Sequence, residues 1–101
     1  MAICKTTTLT DINMISVINL TVPTSSPIGN NITVTATVKN IGTTSFADTV
    51  TFYIETVGTV ICLKGTSYLA VGATEDIDCT FNTGGWASGN YNICAKTTSE
   101  G

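Results

Sequence analysis

Ile32-Thr33-Val34-Thr35-Ala36-Thr37-Val38-Lys39 alternates apolar and polar side chains for eight residues. Successive side chains of a β-strand point to opposite faces, so Ile32, Val34, Ala36 and Val38 fall on one side and Thr33, Thr35, Thr37 and Lys39 on the other. This pattern predicts one strand of a sheet that is buried on one face and wet on the other. Outward from it, β-branched and aromatic residues gather in five further stretches, residues 13–22, 48–56, 59–64, 75–81 and 90–96. Between the stretches lie turn signals: residues 23–31 with two prolines, Asn40-Ile41-Gly42, Val57-Gly58, Val71-Gly72, Asn82-Thr83-Gly84-Gly85 and Ser88-Gly89-Asn90. No stretch carries the apolar stripe of an amphipathic helix.

A sheet with one apolar face must cover it, and in a chain of 101 residues the available cover is a second sheet from the same chain. The expected fold class is therefore all-β, an antiparallel β-sandwich of six to seven strands forming one domain over residues 1–101. Its inner faces are expected to carry Ile32, Val34, Ala36 and Val38, then Ile77, Cys79 and Phe81, then Tyr91, Ile93 and Ala95, with Phe52 and Ile54 filling the centre.

Composition narrows the function. Charged residues make up 11% of the chain, less than half of the roughly 25% usual in soluble proteins, and 21 residues are Thr. The absence of His, Arg and Gln removes imidazole acid–base chemistry, imidazole metal ligation and Arg clamps on phosphate. Hydroxyls are plentiful, but an activated nucleophile needs a base within reach, and the four lysines are scattered. Paired-carboxylate hydrolysis needs a cleft that so small a sandwich rarely provides. No enzymatic activity and no cofactor are expected. A net charge of −3 speaks against nucleic acid, whose binding requires several neutralised phosphates. No apolar run approaches the roughly 18 to 20 residues that span a bilayer, so direct membrane insertion is not expected. Residues 1–10 read polar and lack a signal peptide, which implies a secretion signal already removed or a segment of a longer protein.

Cys4, Cys62, Cys79 and Cys94 are widely spaced, with no Cys-x-x-Cys pair and no His to complete a zinc site. Disulfides are the expected use, and with them an oxidising compartment. Three pairings exist. Cys62 with Cys79 closes a short loop, and Cys4 with Cys94 would tether the N-terminal segment to the last strand; one bridge with two free thiols is the alternative.

Four local patterns then add up: Asp11-Ile12 opening the first strand, Val38-Lys39-Asn40-Ile41-Gly42 after the second, Leu69-Ala70-Val71-Gly72-Ala73 before the fifth, and Gly89-Asn90-Tyr91-Asn92-Ile93 opening the sixth. In this order the segment from residue 11 to 95 resembles the CARDB family, immunoglobulin-like modules of bacterial and archaeal surface proteins named for cell adhesion. The resemblance implies an immunoglobulin-like or fibronectin-III-like sandwich and scaffold roles for these motifs. Gly42 and Gly72 would supply positive φ at corners, Asn40 would bond a nearby backbone group, and Tyr91 would act as a tyrosine corner.

Members of that family typically add a seventh strand, for which only Thr97-Thr98-Ser99-Glu100-Gly101 remains here. Residues 1–10 are therefore expected as an extra strand beside the sixth or as a donor strand given to a neighbour. The second arrangement polymerises subunits by strand addition into a filament.

Three ligand features stand out. Asp48, Glu75, Asp76 and Asp78 offer hard oxygens to calcium, against a plainer reading of Asp76 and Asp78 as a solvated strand face. Trp86 and Tyr91 form a candidate platform for a sugar ring, against a plainer reading of Trp86 as a cap over the end of the core. Asn19-Leu20-Thr21 and Asn31-Ile32-Thr33 are glycosylation sequons, so Asn19 and Asn31 are candidate glycan carriers. The expected function is a non-catalytic structural or adhesive module of an extracellular or cell-surface protein. Its expected partners are another protein or copies of itself, with glycan as a further candidate. A secreted filament subunit and a small carbohydrate-binding module are the alternatives.

Overall fold

The computed structural model describes residues 2–9, 12–55 and 57–100. Six strands, β1 (Ile15–Thr21), β2 (Asn31–Asn40), β3 (Thr49–Ile54), β4 (Val60–Gly65), β5 (Thr74–Asn82) and β6 (Ile93–Thr97), form two antiparallel sheets ordered β1-β2-β5 and β4-β3-β6. The described residues contain no helix. Each strand falls on a stretch expected from the sequence, and the architecture is a small immunoglobulin-like β-sandwich. Thr56, expected to end the third strand, and Asp11 of the opening motif lie outside the described residues, as do Met1 and Thr10 of the N-terminal segment.

Alternation places the core as the sequence implies. Val34, Ala36, Val38, Val50, Phe52 and Cys79 are fully buried, with Ile54 and Ile77 close behind. Ile32, Phe81, Ile93 and Ala95 are half-buried and pack against this cluster. Tyr91 departs from expectation: it precedes β6 and is exposed rather than turned into the core. The residues before Ile93 run as bends and irregular chain, so the period-two pattern begins at Ile93 instead of Asn90.

In β1 strict alternation fails at Val17-Ile18, where two apolar residues follow one another, and the structure answers with a bulge. Val17 pairs Val38 and Asn19 pairs Thr37, leaving Ile18 out of register and exposed. One extra residue resets the phase, so Ile15 and Val17 before the bulge and Leu20 and Val22 after it all meet the core.

The Asn40-Ile41-Gly42 corner works through its side chain and its lack of one. Buried Asn40 donates from Nδ2 to the carbonyls of Thr44 and Leu69, both at 2.9 Å, and accepts from Gly42 N at 2.9 Å. Gly42 does not supply the expected positive φ. It is needed for close approach: a Cβ there would sit 2.1 Å from Ile12 O and 2.9 Å from Met14 N. Gly72 does take the left-handed conformation, at φ 82°. Asn40→Ala is expected to cost roughly 2 kcal/mol, near the middle of the range for buried polar groups that lose a partner. The loss is moderated because Gly42 N keeps Met14 O at 3.2 Å and Leu69 O keeps Phe46 N at 3.0 Å. A urea midpoint equal to that of the parent chain would deny the corner this role.

A polar clip fastens β6 to β1. Buried Thr97 donates its hydroxyl to Ile15 O, while Ser99 Oγ accepts from Ile15 N at 3.0 Å. The Glu100 carboxylate accepts from Ser16 Oγ at 2.7 Å and from Thr97 N at 3.0 Å.

Candidate functional site

Two places collect the residues singled out from the sequence. The first is the end of the sandwich where the 23–31 loop meets the residues before β6. Thr83, buried there, accepts from Gly29 N at 2.9 Å and so pins the loop. Trp86 stacks on Phe81 with ring centroids 5.5 Å apart, and Tyr91 tilts against Trp86 at 5.1 Å. The Tyr91 hydroxyl donates to Ala87 O at 2.6 Å, tying the entry of β6 to the loop before it as a tyrosine corner would. Beside the cluster opens a cleft of about 510 Å³ lined by Val22, Ile28, Trp86, Tyr91 and Ile93 among others. Trp86 is half-buried, with Phe81 and Tyr91 packed against it, so it caps the core and borders the cleft together.

The second place is the outer face of the β4-β3-β6 sheet. Tyr53 stands opposite Cys94 in register, and Lys96 Nζ lies 5.1 Å from the centre of the Tyr53 ring. Cys94 Sγ is 3.6 Å from Glu55 Oε2, to which its thiol donates. Partial burial first, then the hydrogen bond and negative charge of Glu55, push the Cys94 thiol above its ordinary range, outweighing an opposing hydrogen bond from Tyr53. Partial burial together with Cys94 and Glu55 likewise pushes the Tyr53 phenol up. Because the thiolate is the reactive form, removing the carboxylate lowers the Cys94 pKa and enlarges the reactive fraction. Glu55→Gln is expected to speed alkylation of Cys94 by iodoacetamide near pH 8, read by peptide mass spectrometry. An unchanged rate would remove Glu55 as the cause.

The expected bridge Cys62–Cys79 is formed, with Cα atoms 6.1 Å apart. The expected tether Cys4–Cys94 is not: both cysteines are free. The physical reason is that residues 2–9 are exposed and carry no strand, so nothing brings Cys4 to β6 within the chain.

The calcium candidates are distributed rather than gathered. Asp76 Oδ1 accepts from Thr37 Oγ1 at 2.7 Å and Asp78 Oδ1 from Thr35 Oγ1 at 2.8 Å, each directly across β2–β5. Two such positions on one strand face are about 7 Å apart, whereas calcium holds its oxygens at roughly 2.3 to 2.6 Å. Glu75 accepts from Ser67 N at 2.8 Å, and Asp48 accepts from Ser99 N at 3.1 Å. Among the described residues no group of three or more Cys, Asp or Glu is placed to hold a metal ion. Asn19 and Asn31 are both exposed, Asn19 beside the β1 bulge and Asn31 at the start of β2, where its Oδ1 accepts from Asn82 Nδ2 at 3.0 Å.

The sequence, which shows Thr83 only as part of a turn and Thr97, Ser99 and Glu100 only as the tail after the sixth strand, does not reveal their bonding roles. Hydroxyls are so common in this chain that no local signal separates the buried ones from the rest. No helix among the described residues is long and apolar enough to cross a membrane.

No curated protein and no solved structure matches the chain. The family model of CARDB matches residues 13–101, which takes in all six strands and both corners described above. The chain belongs to the CARDB family.

Proposed function

We propose that the chain is a non-catalytic structural or adhesive module of an extracellular surface protein, making contact with other proteins at the cell surface. The observation that carries this reading is the CARDB match over residues 13–101. Two features support it. The Cys62–Cys79 bridge suits an oxidising compartment. The outward hydroxyls and carboxylates of the β1-β2-β5 sheet are bonded to one another, as Thr33 to Thr80 at 2.8 Å, Thr35 to Asp78 and Thr37 to Asp76, which suits a passive display surface. The opposite sheet offers apolar contact at Val60, Leu63 and, on the loop after β4, Tyr68, all largely exposed. Labelling intact source cells with a membrane-impermeant amine reagent tests the location: the lysines are expected to be modified without lysis. Modification only after lysis would overturn the surface role.

A second reading is favoured by the cleft at Trp86 and Tyr91. Its aromatic border and hydroxyl-bearing walls suit an uncharged sugar. Under it, added oligosaccharide shifts Trp86 fluorescence, and an inert spectrum across a panel of neutral glycans would exclude it.

A further inference from the structure

The free edge of β6 is built to receive a strand. At the two ends of the β3–β6 ladder, Glu55 N donates to Asn92 O at 2.9 Å and Thr98 N donates to Thr49 O at 3.1 Å, with one-to-one register between. In an antiparallel pair the residues that bond to the partner alternate with those that do not. The phase fixed by those two bonds turns the N–H and C=O of Cys94 and Lys96 toward β3, and those of Ile93 and Ala95 away from it. β6 is the last strand of its sheet. Beyond Ala95 the edge is occupied, because Thr97 N donates to Glu100 Oε1 at 3.0 Å. Two donors and two acceptors are thus presented in a row, with Cys94 between them.

The chain also carries a matching occupant. Residues 2–9 are exposed and outside any strand, with Ile3 80% and Leu9 89% exposed and Cys4 a free thiol. The described residues extend 74 × 24 × 19 Å, and their radius of gyration of 18.3 Å exceeds the ~13 Å of a compact domain of this length. This segment projects from the sandwich instead of lying on it.

We propose that residues 2–6 of one copy add antiparallel to β6 of a second copy, with Cys4 opposite Cys94 and the two sulfurs joined in an intermolecular disulfide. In that register Ile3 faces Ala95 and Lys5 faces Ile93, and these pairs exchange the main-chain bonds that the edge offers. Cys4 and Cys94 then form the non-hydrogen-bonded pair, whose Cα atoms stand about 4.5 Å apart, inside the roughly 4.4 to 6.8 Å that a disulfide spans. Ile3 joins the core side next to Ala95, and the Lys5 stem covers half-buried Ile93.

Geometry disfavours the same joint within one chain. The N-terminal segment enters β1 beside the Thr97 end of β6, since Ile15 O accepts from Thr97 Oγ1. Folded back on its own β6, it would run parallel to that strand and lose the close pairing. Between copies the contact is head to tail: each copy gives its segment to one neighbour and receives one at β6 from another, so copies add one after another. The oxidant is a low-molecular-weight disulfide. The Cys4 and Cys94 thiols give up two protons and two electrons, the reagent's S–S bond breaks, and two reagent thiols leave. This self-linkage goes beyond the surface-module reading and stands or falls separately from it.

The test is oxidation of the full chain by oxidised glutathione after mild reduction that leaves Cys62–Cys79 intact, followed by non-reducing electrophoresis and peptide mass spectrometry. A ladder of dimers, trimers and larger species is expected, with the Cys4–Cys94 peptide in every rung. Cys4→Ser mixed with Cys94→Ser is expected to stop at one heterodimer. Ile3→Pro, which removes a main-chain donor outside the sandwich, is expected to lower the cross-linked yield severalfold. A monomer holding an internal Cys4–Cys94 bond, dimers joined Cys4–Cys4 or Cys94–Cys94, or a yield indifferent to Ile3→Pro would each overturn the proposal.

Discussion

Val38→Asp is expected to abolish the cooperative unfolding transition, leaving a shallow calorimetric trace and no near-ultraviolet dichroism. Val38 is fully buried on β2, the central strand of its sheet, paired with Val17 on β1 and with Glu75 on β5. An aspartate there would lie among apolar groups, with the carboxylate of Glu75 as its cross-strand neighbour. Like charges oppose ionisation, so the new side chain would be forced neutral and still lack a hydrogen-bond partner. The penalty for an unpaired buried carboxyl is several kcal/mol, comparable to the ~5 to 15 kcal/mol that holds a domain of this size together. A transition matching that of the parent chain would show that this face of β2 does not point inward.

Removing the bridge with Cys62→Ala and Cys79→Ala together is expected to destabilise the fold by about 3 kcal/mol, as for a closed loop of roughly this length. The sequence separation is 17 residues, and the bond joins β4 of one sheet to β5 of the other. At roughly 4 to 8 °C per kcal/mol for a domain near 100 residues, the melting temperature should fall by about 12 to 24 °C. Cys79 is fully buried, so alanine also leaves a small void that adds to the loss. Scanning calorimetry of the double variant decides it. A fall of only two or three degrees would mean that the sheets hold together without the staple.

Much of this fold was legible because its governing signal is local. Eight alternating residues in β2 fix which side chains meet the core, and that needs no knowledge of the rest of the chain. The bulge in β1 was half-legible: the alternation visibly breaks at Val17-Ile18, but only pairing with β2 shows that the break is absorbed by one displaced residue. Gly42 shows the opposite limit. Its need for a missing side chain comes from the backbone of Ile12 and Met14, far back in the chain, and no local rule reports such an approach. The candidate sites were harder still. Asp76 and Asp78 look like free ligands in the sequence and are tied to threonines on another strand. Cys94 looked like a partner for Cys4 within the chain, and its thiol instead donates to Glu55.

The Thr33–Thr80, Thr35–Asp78 and Thr37–Asp76 pairs hold one outer face by dipoles and ion–dipole contacts, with no opposed full charges among them. Dissolved ions screen attraction between opposite charges beyond a Debye length of about 10 Å at 0.1 M, which shrinks to about 3 Å at 1 M, so the screening strengthens with salt. Contacts between short-range hydroxyl partners scarcely feel that shielding. Brine and dilute buffer should therefore find this face equally firm.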